Sequence, residues 1–163
     1  MDPRIAPLAD ILRLNTKLLR NCLDGLTDEQ AARRPSTSTN SAAFVAAHLS
    51  DARFYLLHML GAEQPNPLAA YLDGARGIDD VKRFPPIAEI QRAWTAVSHA
   101  LRDRLDTVTA KDLDGAVTPP FPLPVSDPTM LSVLTFFVQH DSYHIGQLAL
   151  LRKHAGLAAM HYV

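Results

Sequence analysis

His140 and His144 stand four residues apart inside a long apolar run, in the stretch His140-Asp-Ser-Tyr-His144-Ile-Gly-Gln147. On a helix four residues turn through about 400°, so both imidazoles leave one face a turn apart. Side chains so placed can share one metal ion, and imidazole is the commonest protein ligand for zinc and its neighbours. Such a pair arises cheaply by chance in a chain with 7 histidines, so alone it fits a helix surface as well as a metal site. His48 is the candidate third ligand. Read singly, it fits a hydrogen-bonded core histidine. Read with the pair, it completes a three-nitrogen set with positions left open for water or substrate, as in reactive rather than structural sites. A divalent ion held by neutral imidazoles keeps its charge and activates a water or a thiol for attack.

The neighbours of these histidines admit two readings each. Gln147, one turn beyond His144, either orients an imidazole or packs as a hydrogen-bonded bundle amide, the commoner case. Asp51, three residues after His48, is a tautomer-fixing partner or a solvated helix position. Tyr143 adjoins His144 and either donates a proton near the site or, as the angle of about 100° between them favours, packs against a neighbouring helix. Gly146 costs about 1 kcal/mol of helix stability relative to alanine, which close approach of another helix backbone would explain. Cys22, among leucines, reads as a small hydrophobe. Trp94 reads as core or dimer interface. The other histidines are poorer candidates: His154 is displaced about 21 Å along the axis from His140, and His58 about 15 Å from His48. His99 is isolated, and His161 is expected in a frayed tail.

These residues need long helices to position them, and the chain supplies four. The first carries Ile5, Leu8, Ile11, Leu12, Leu18, Leu19, Cys22 and Leu23 on one stripe, interrupted by Asn15 and stopped at Gly25. Thr27-Asp-Glu-Gln30 reads as a capping box opening a short helical turn that Pro35 closes. Asn40 or Ser41 caps the second helix, whose apolar positions include Phe44, Val45, Leu49, Ala52, Leu56 and Met59. Pro65, Pro67, Gly74, Gly77 and Pro85 mark residues 62 to 86 as a long connection, with a helical turn at Leu68 to Leu72. A crossing of that length can join two parallel helices. The third helix takes Pro86 as an early position and buries Ile90, Ala93, Trp94, Val97, Leu101 and Leu105. Pro119, Pro120, Pro122, Pro124 and Pro128 make residues 112 to 128 a second long loop. Ser126 or Asp127 starts the fourth helix, which Gly156 stops. The expected fold is all-α: a four-helix bundle with a long crossover between helices two and three, as one domain over residues 1–163.

Composition narrows the functional classes. The 163 residues carry 16 basic and 17 acidic side chains, a net charge of −1. No basic cluster appears along the chain, so nucleic acid is not an expected partner. A single cysteine excludes an intrachain disulfide and suits a reducing compartment. With no signal-like start and no apolar run of about 18 residues, the expectation is a cytoplasmic protein without a membrane partner.

Three segments in order, "LTDEQAARRP", "NSAAFVAAHLSDA" and "TFFVQHDSYHIGQLALLRKHAG", make the chain resemble the DinB-like (YfiT-like) family of metal-dependent enzymes over about Leu8 to Gly156. The most specific element is the His-x-x-x-His-x-Gly-Gln run combined with a helix-two histidine soon after an Asn-Ser cap. The resemblance implies His48, His140 and His144 as metal ligands, with zinc or nickel the usual ion. It implies a small-molecule substrate and a homodimer. It also implies a thiol-dependent transferase or isomerase using bacillithiol, mycothiol or glutathione as cosubstrate. Metal-assisted hydrolysis, and a non-catalytic metal- or ligand-binding bundle, are the alternatives. The proline-rich segment before helix four is expected to shape the pocket mouth.

Overall fold

The computed structural model describes residues 1–118, 123–125 and 128–162. Its four long helices are α1 (Ala6–Leu23), α3 (Ala42–Met59), α5 (Ile87–Thr107) and α7 (Met130–His154), with short helices α2 (Asp28–Ala32), α4 (Ala69–Leu72) and α6 (Ala110–Asp114) between them. No strand forms among the described residues; the nearest thing is one antiparallel bridge, Ala116 with Thr129. In the bundle α1 packs on α7 and α5, and α3 packs on the same two.

Side-chain bonds give the directions. Arg53 reaches Ser98, and further along both helices Arg104 donates to the Leu60 carbonyl at 2.7 Å, so α3 and α5 are parallel. His48 faces His140 while Tyr55 faces Phe137, so α3 and α7 are antiparallel. Asn15 donates to Ser142, and further on Arg152 bonds the Cys22 carbonyl, so α1 runs with α7. Residues 60–86 therefore carry the chain back along the bundle, as the length of that connection predicts. Asp51 anchors the start of this crossover by accepting from Asn66 at 2.7 Å. Asp28 receives its end, accepting the Ile87 backbone N–H at 2.8 Å and satisfying an otherwise orphaned donor of α5.

Local chemistry sets the helix ends. Ser41 caps α3 by accepting from the Phe44 N–H, and Thr27 with Gln30 forms the reciprocal capping box on α2. Gly61 and Gly156 follow α3 and α7 with φ of 79° and 83°, a conformation that strains any residue with a Cβ. Pro86 is the N-cap of α5 rather than a position inside it. The cap of α7 is Thr129, which accepts from the Ser132 N–H; Ser126 and Asp127, the sequence candidates, lie outside the described residues, as do Pro119, Pro120 and Pro122. The helix α6 is a second capping box, Thr109 with Asp112. Its spacing is legible in hindsight in Thr-Ala-Lys-Asp. The proline-rich segment is clamped at its base, where Val117 N–H donates to the Pro128 carbonyl at 2.8 Å and Met130 N–H to that of Gly115 at 3.1 Å.

Two apolar assignments change. Ile11, expected on the core stripe, is 40% exposed, because α1 turns that side away from both α5 and α7. Conversely α3 is buried nearly all round, with Ala43, Ala46 and Ala47 inside as well as the larger residues, because α2, α5 and α7 all pack against it. The tail is also held: His161 is tied to Asn21 through its backbone N–H at 3.1 Å and its ring Nε2 at 2.8 Å.

Candidate metal centre

Antiparallel packing of α3 on α7 places His48 opposite the one-turn pair His140 and His144. The three ligand nitrogens lie within 4.8 Å of one another. His48 Nε2 and His140 Nε2 are 3.0 Å apart, and the ring centroids are separated by 5.0 Å (48 to 140), 5.0 Å (48 to 144) and 4.5 Å (140 to 144). All three residues are partly buried. The rings meet edge to face, converging on a common point rather than stacking.

Burial holds the imidazoles of His48 and His140 neutral. The His48 pKa is pushed down to about 4, by desolvation first and then by the charge of His144. That of His140 is pushed down to about 3, by desolvation and then by His144 and His48. Neutral nitrogens with free lone pairs are the form a metal requires. Gln147 supplies orientation: its Oε1 lies 2.7 Å from His144 Nδ1, so the proton sits on Nδ1 and Nε2 points its lone pair inward. Of its two readings the orienting one holds, and the i,i+3 spacing from His144 was the available signal. His140 Nδ1 is buried with no hydrogen-bond partner among the described residues. A cation bound at that nitrogen would satisfy it, whereas one bound at Nε2 would leave it unpaired. The donor set therefore fits a divalent ion of borderline softness such as zinc or nickel.

The wall of the site is aromatic. Phe44 lies parallel to His48 at 6.2 Å, Phe136 is tilted on His140 at 6.0 Å, and Tyr143 meets His144 edge-on at 5.0 Å. Tyr143 is 58% exposed and does not pack into a neighbouring helix as its spacing suggested. Gly146 is also exposed, and a Cβ there would meet nothing within 4 Å. Both lie on the side of α7 that faces out of the bundle. Asp51 holds the crossover through Asn66 and makes no bond to His48. Among the remaining histidines, His58 pairs with Glu63 at 2.6 Å on the surface, and His99 lines a cavity between α1 and α5. Cys22 is buried with its thiol pKa pushed up to about 11 by desolvation, an inert core group.

Behind the histidines lies a network with no counterpart in the sequence reading. Arg53 and Asp141 are buried to 2% and 1% exposure. Arg53 gives Nε and Nη2 to Asp141 Oδ2 at 2.8 and 2.7 Å, and Nη1 to Thr16 and Ser98 at 2.7 and 2.6 Å. Its Nη2 also reaches the Leu12 carbonyl at 3.1 Å. Its guanidinium lies 3.7 Å over the Trp94 ring, whose Nε1 donates to the Thr16 carbonyl. All four long helices meet in this one side chain, and Asp141 sits between the two histidines of α7. The only signal in the sequence was an arginine flanked by buried apolar positions of its helix.

Solved structures of the same fold accompany a family match. A DinB-like protein from Bacillus cereus aligns with TM-score 0.73 at 21% identity over 96% of each chain. A conserved protein from Enterococcus faecalis gives 0.69 at 14% identity, over 91% of this chain and 95% of its own. YfiT from Bacillus subtilis, described as a probable metal-dependent hydrolase with an unusual four-helix bundle topology, gives 0.67 at 17% identity over 97% and 91%. No curated protein matches the chain. The DinB superfamily model matches residues 11–148, a span holding all three histidines and the four long helices' packed cores, and the chain belongs to that superfamily.

Proposed function

We propose that His48, His140 and His144 hold one divalent metal, zinc or nickel, and that the protein is a metal-dependent enzyme acting on a small electrophilic molecule. The carrying observation is the convergence of three imidazole nitrogens within 4.8 Å, drawn from two facing helices. When bound, such an ion supplies an activated nucleophile and a Lewis acid in its open positions. The chain's own residues do the rest: Gln147 fixes the His144 ring, and the partly buried Phe44 and Phe136 offer an apolar wall to a substrate. Our first reading is a thiol-dependent S-transferase or isomerase, with a low-molecular-weight thiol as nucleophile. The second is hydrolysis, favoured by the likeness to YfiT.

The same reading takes residues 1–163 as one domain of a cytoplasmic homodimer. Among the described residues no helix is long and apolar enough to cross a membrane. The dimer would cover Ile11 and Leu14 of α1 together with Tyr143 and Leu150 of α7, large side chains left exposed on two adjacent helices. Gly146 on that side leaves room for close approach by a second copy.

Elemental analysis of tag-free protein tests the centre and is expected to find about one equivalent of divalent metal per chain. His48→Ala should lose it, and His99→Ala should keep it. Turnover of thiol and electrophile pairs, compared before and after chelation and in His144→Ala, tests the enzyme. Activity indifferent to both treatments overturns the metal mechanism, and tight metal binding without turnover across a broad panel assigns a binding module instead.

A further inference from the structure

A cavity of about 380 Å³ opens between α1 and α5, lined by Arg53, Thr16 and Ser98 of the buried network and by none of the three clustered histidines. At about 30 Å³ for each water-sized group, it has room for about twelve such groups, the lower range of small-ligand pockets. Its walls are apolar, built from Ala9, Leu12, Leu101 and Leu105. Its floor is polar: Thr16, Ser98 and the guanidinium of Arg53. All the Arg53 donors are taken by protein acceptors. The Ser98 hydroxyl accepts from Arg53, yet its own hydrogen has no acceptor among the described residues.

The mouth is cationic. Arg13, Lys17 and Arg102 border it, with His99 beside them and one carboxylate, Asp106. These side chains are far apart in sequence and show no cluster there; the antiparallel packing of α1 on α5 brings them together. Arg13 and Arg102 are paired with Asp10 and Asp103 in solvent-exposed bridges, which are weak enough to give way to a better-placed anion. Lys17 is exposed and makes no ion pair among the described residues.

We propose that this cavity is a binding site for a small amphipathic carboxylate, its apolar body among the leucines and its carboxylate at the Lys17–Arg102 rim. The site is separate from the histidine centre and does not depend on metal. Burial of the body supplies the affinity and the rim supplies the sign of the charge.

Octanoate is a suitable probe, and Trp94, the one tryptophan, is a built-in reporter. Its ring touches Arg53 and its Nε1 bonds Thr16, both at the cavity floor. Titration by tryptophan fluorescence and calorimetry should show saturable one-to-one binding with Kd below about 1 mM. Octanol, lacking the charge, should bind about tenfold more weakly or worse, and Lys17→Glu/Arg102→Glu should lose a similar factor. Both positions are exposed, so circular dichroism should find that variant folded. Arg76→Glu/Lys153→Glu, the same charge change elsewhere on the surface, should bind as the unaltered protein does. His140→Ala and chelated protein should also bind unchanged, which separates this site from a carboxylate seated on the metal centre. The proposal is overturned by absence of saturation at about 10 mM, by equal binding of octanol, by rim variants that bind normally, or by loss of binding in His140→Ala.

Discussion

Replacing Arg53 with methionine should unfold the bundle far more readily than its modest change in volume suggests. The side chain lies in the middle of all four long helices and directs every N–H donor at a protein acceptor. Methionine fills much of the space but leaves the Asp141 carboxylate, 1% exposed, with no cation. Breaking a buried pair from one side costs about 3–5 kcal/mol, because an uncompensated charge remains. For a chain of this size each kcal/mol moves Tm by about 2–4 °C, so a fall of about 6–20 °C is expected. Removing both partners should be far milder, since an apolar replacement of a buried pair is about neutral or even stabilising. Urea unfolding followed by far-UV circular dichroism on Arg53→Met, Asp141→Leu and the double variant closes the cycle, with a coupling energy of about 2 kcal/mol or more. The pH dependence gives an independent check. Burial already raises the Asp141 pKa above the usual carboxylate value, and loss of Arg53 raises it further. A carboxyl whose folded pKa exceeds its unfolded one binds more protons when folded, so the penalty of Arg53→Met should shrink as pH falls and grow as pH rises through the folded pKa. Single costs that merely add, or a penalty independent of pH, would refute the account of this pair.

Three further outcomes follow from the site and its surroundings. Gln147→Leu should weaken metal binding about 10–100-fold by freeing the His144 tautomer, while Gln147→Glu should keep it, as read by competition with a chromophoric chelator. Metal-free protein should lose stability as pH falls from about 6.5 towards 4. His48 and His140 have folded pKa values lowered to about 4 and about 3, so the unfolded chain binds more protons throughout that interval; urea midpoints that differ from those of His140→Phe only above it would contradict this. Leu150→Asp, placed on a residue 69% exposed in the single chain, should convert a dimer into a monomer in sedimentation without changing the unfolding free energy of the monomer by more than about 0.5 kcal/mol.

What the sequence disclosed and what it hid divide along a physical line. Helix number, the parallel crossover and the histidine faces follow from periodicity and connection length, which are local or nearly so. His140 and His144 share a face by spacing alone, and the antiparallel pass of α3 brings His48 to them. Partners chosen across the bundle were not legible: Arg53 with Asp141 spans 88 positions, and neither residue advertises its burial. Orientation of a stripe relative to its neighbours was hidden as well. Ile11 and Gly146 were both assigned inward, because periodicity gives a face but not the width of the face that neighbouring helices cover. The start of α7 was hidden too: Thr129 caps it, next to the backbone bonds at the loop base, which pair Met130 with Gly115 and Val117 with Pro128, 15 and 11 positions apart.

That clamp at Ala116 and Thr129 has a consequence for how the molecule can be altered. Its paired backbone groups hold the two stems of residues 117–128 together. Doubling the span would add only about 0.6 kcal/mol of closure entropy. A longer span there is therefore cheap to close, provided that Val117 and Leu123, which pack against the core, are kept to seal the bundle beneath it.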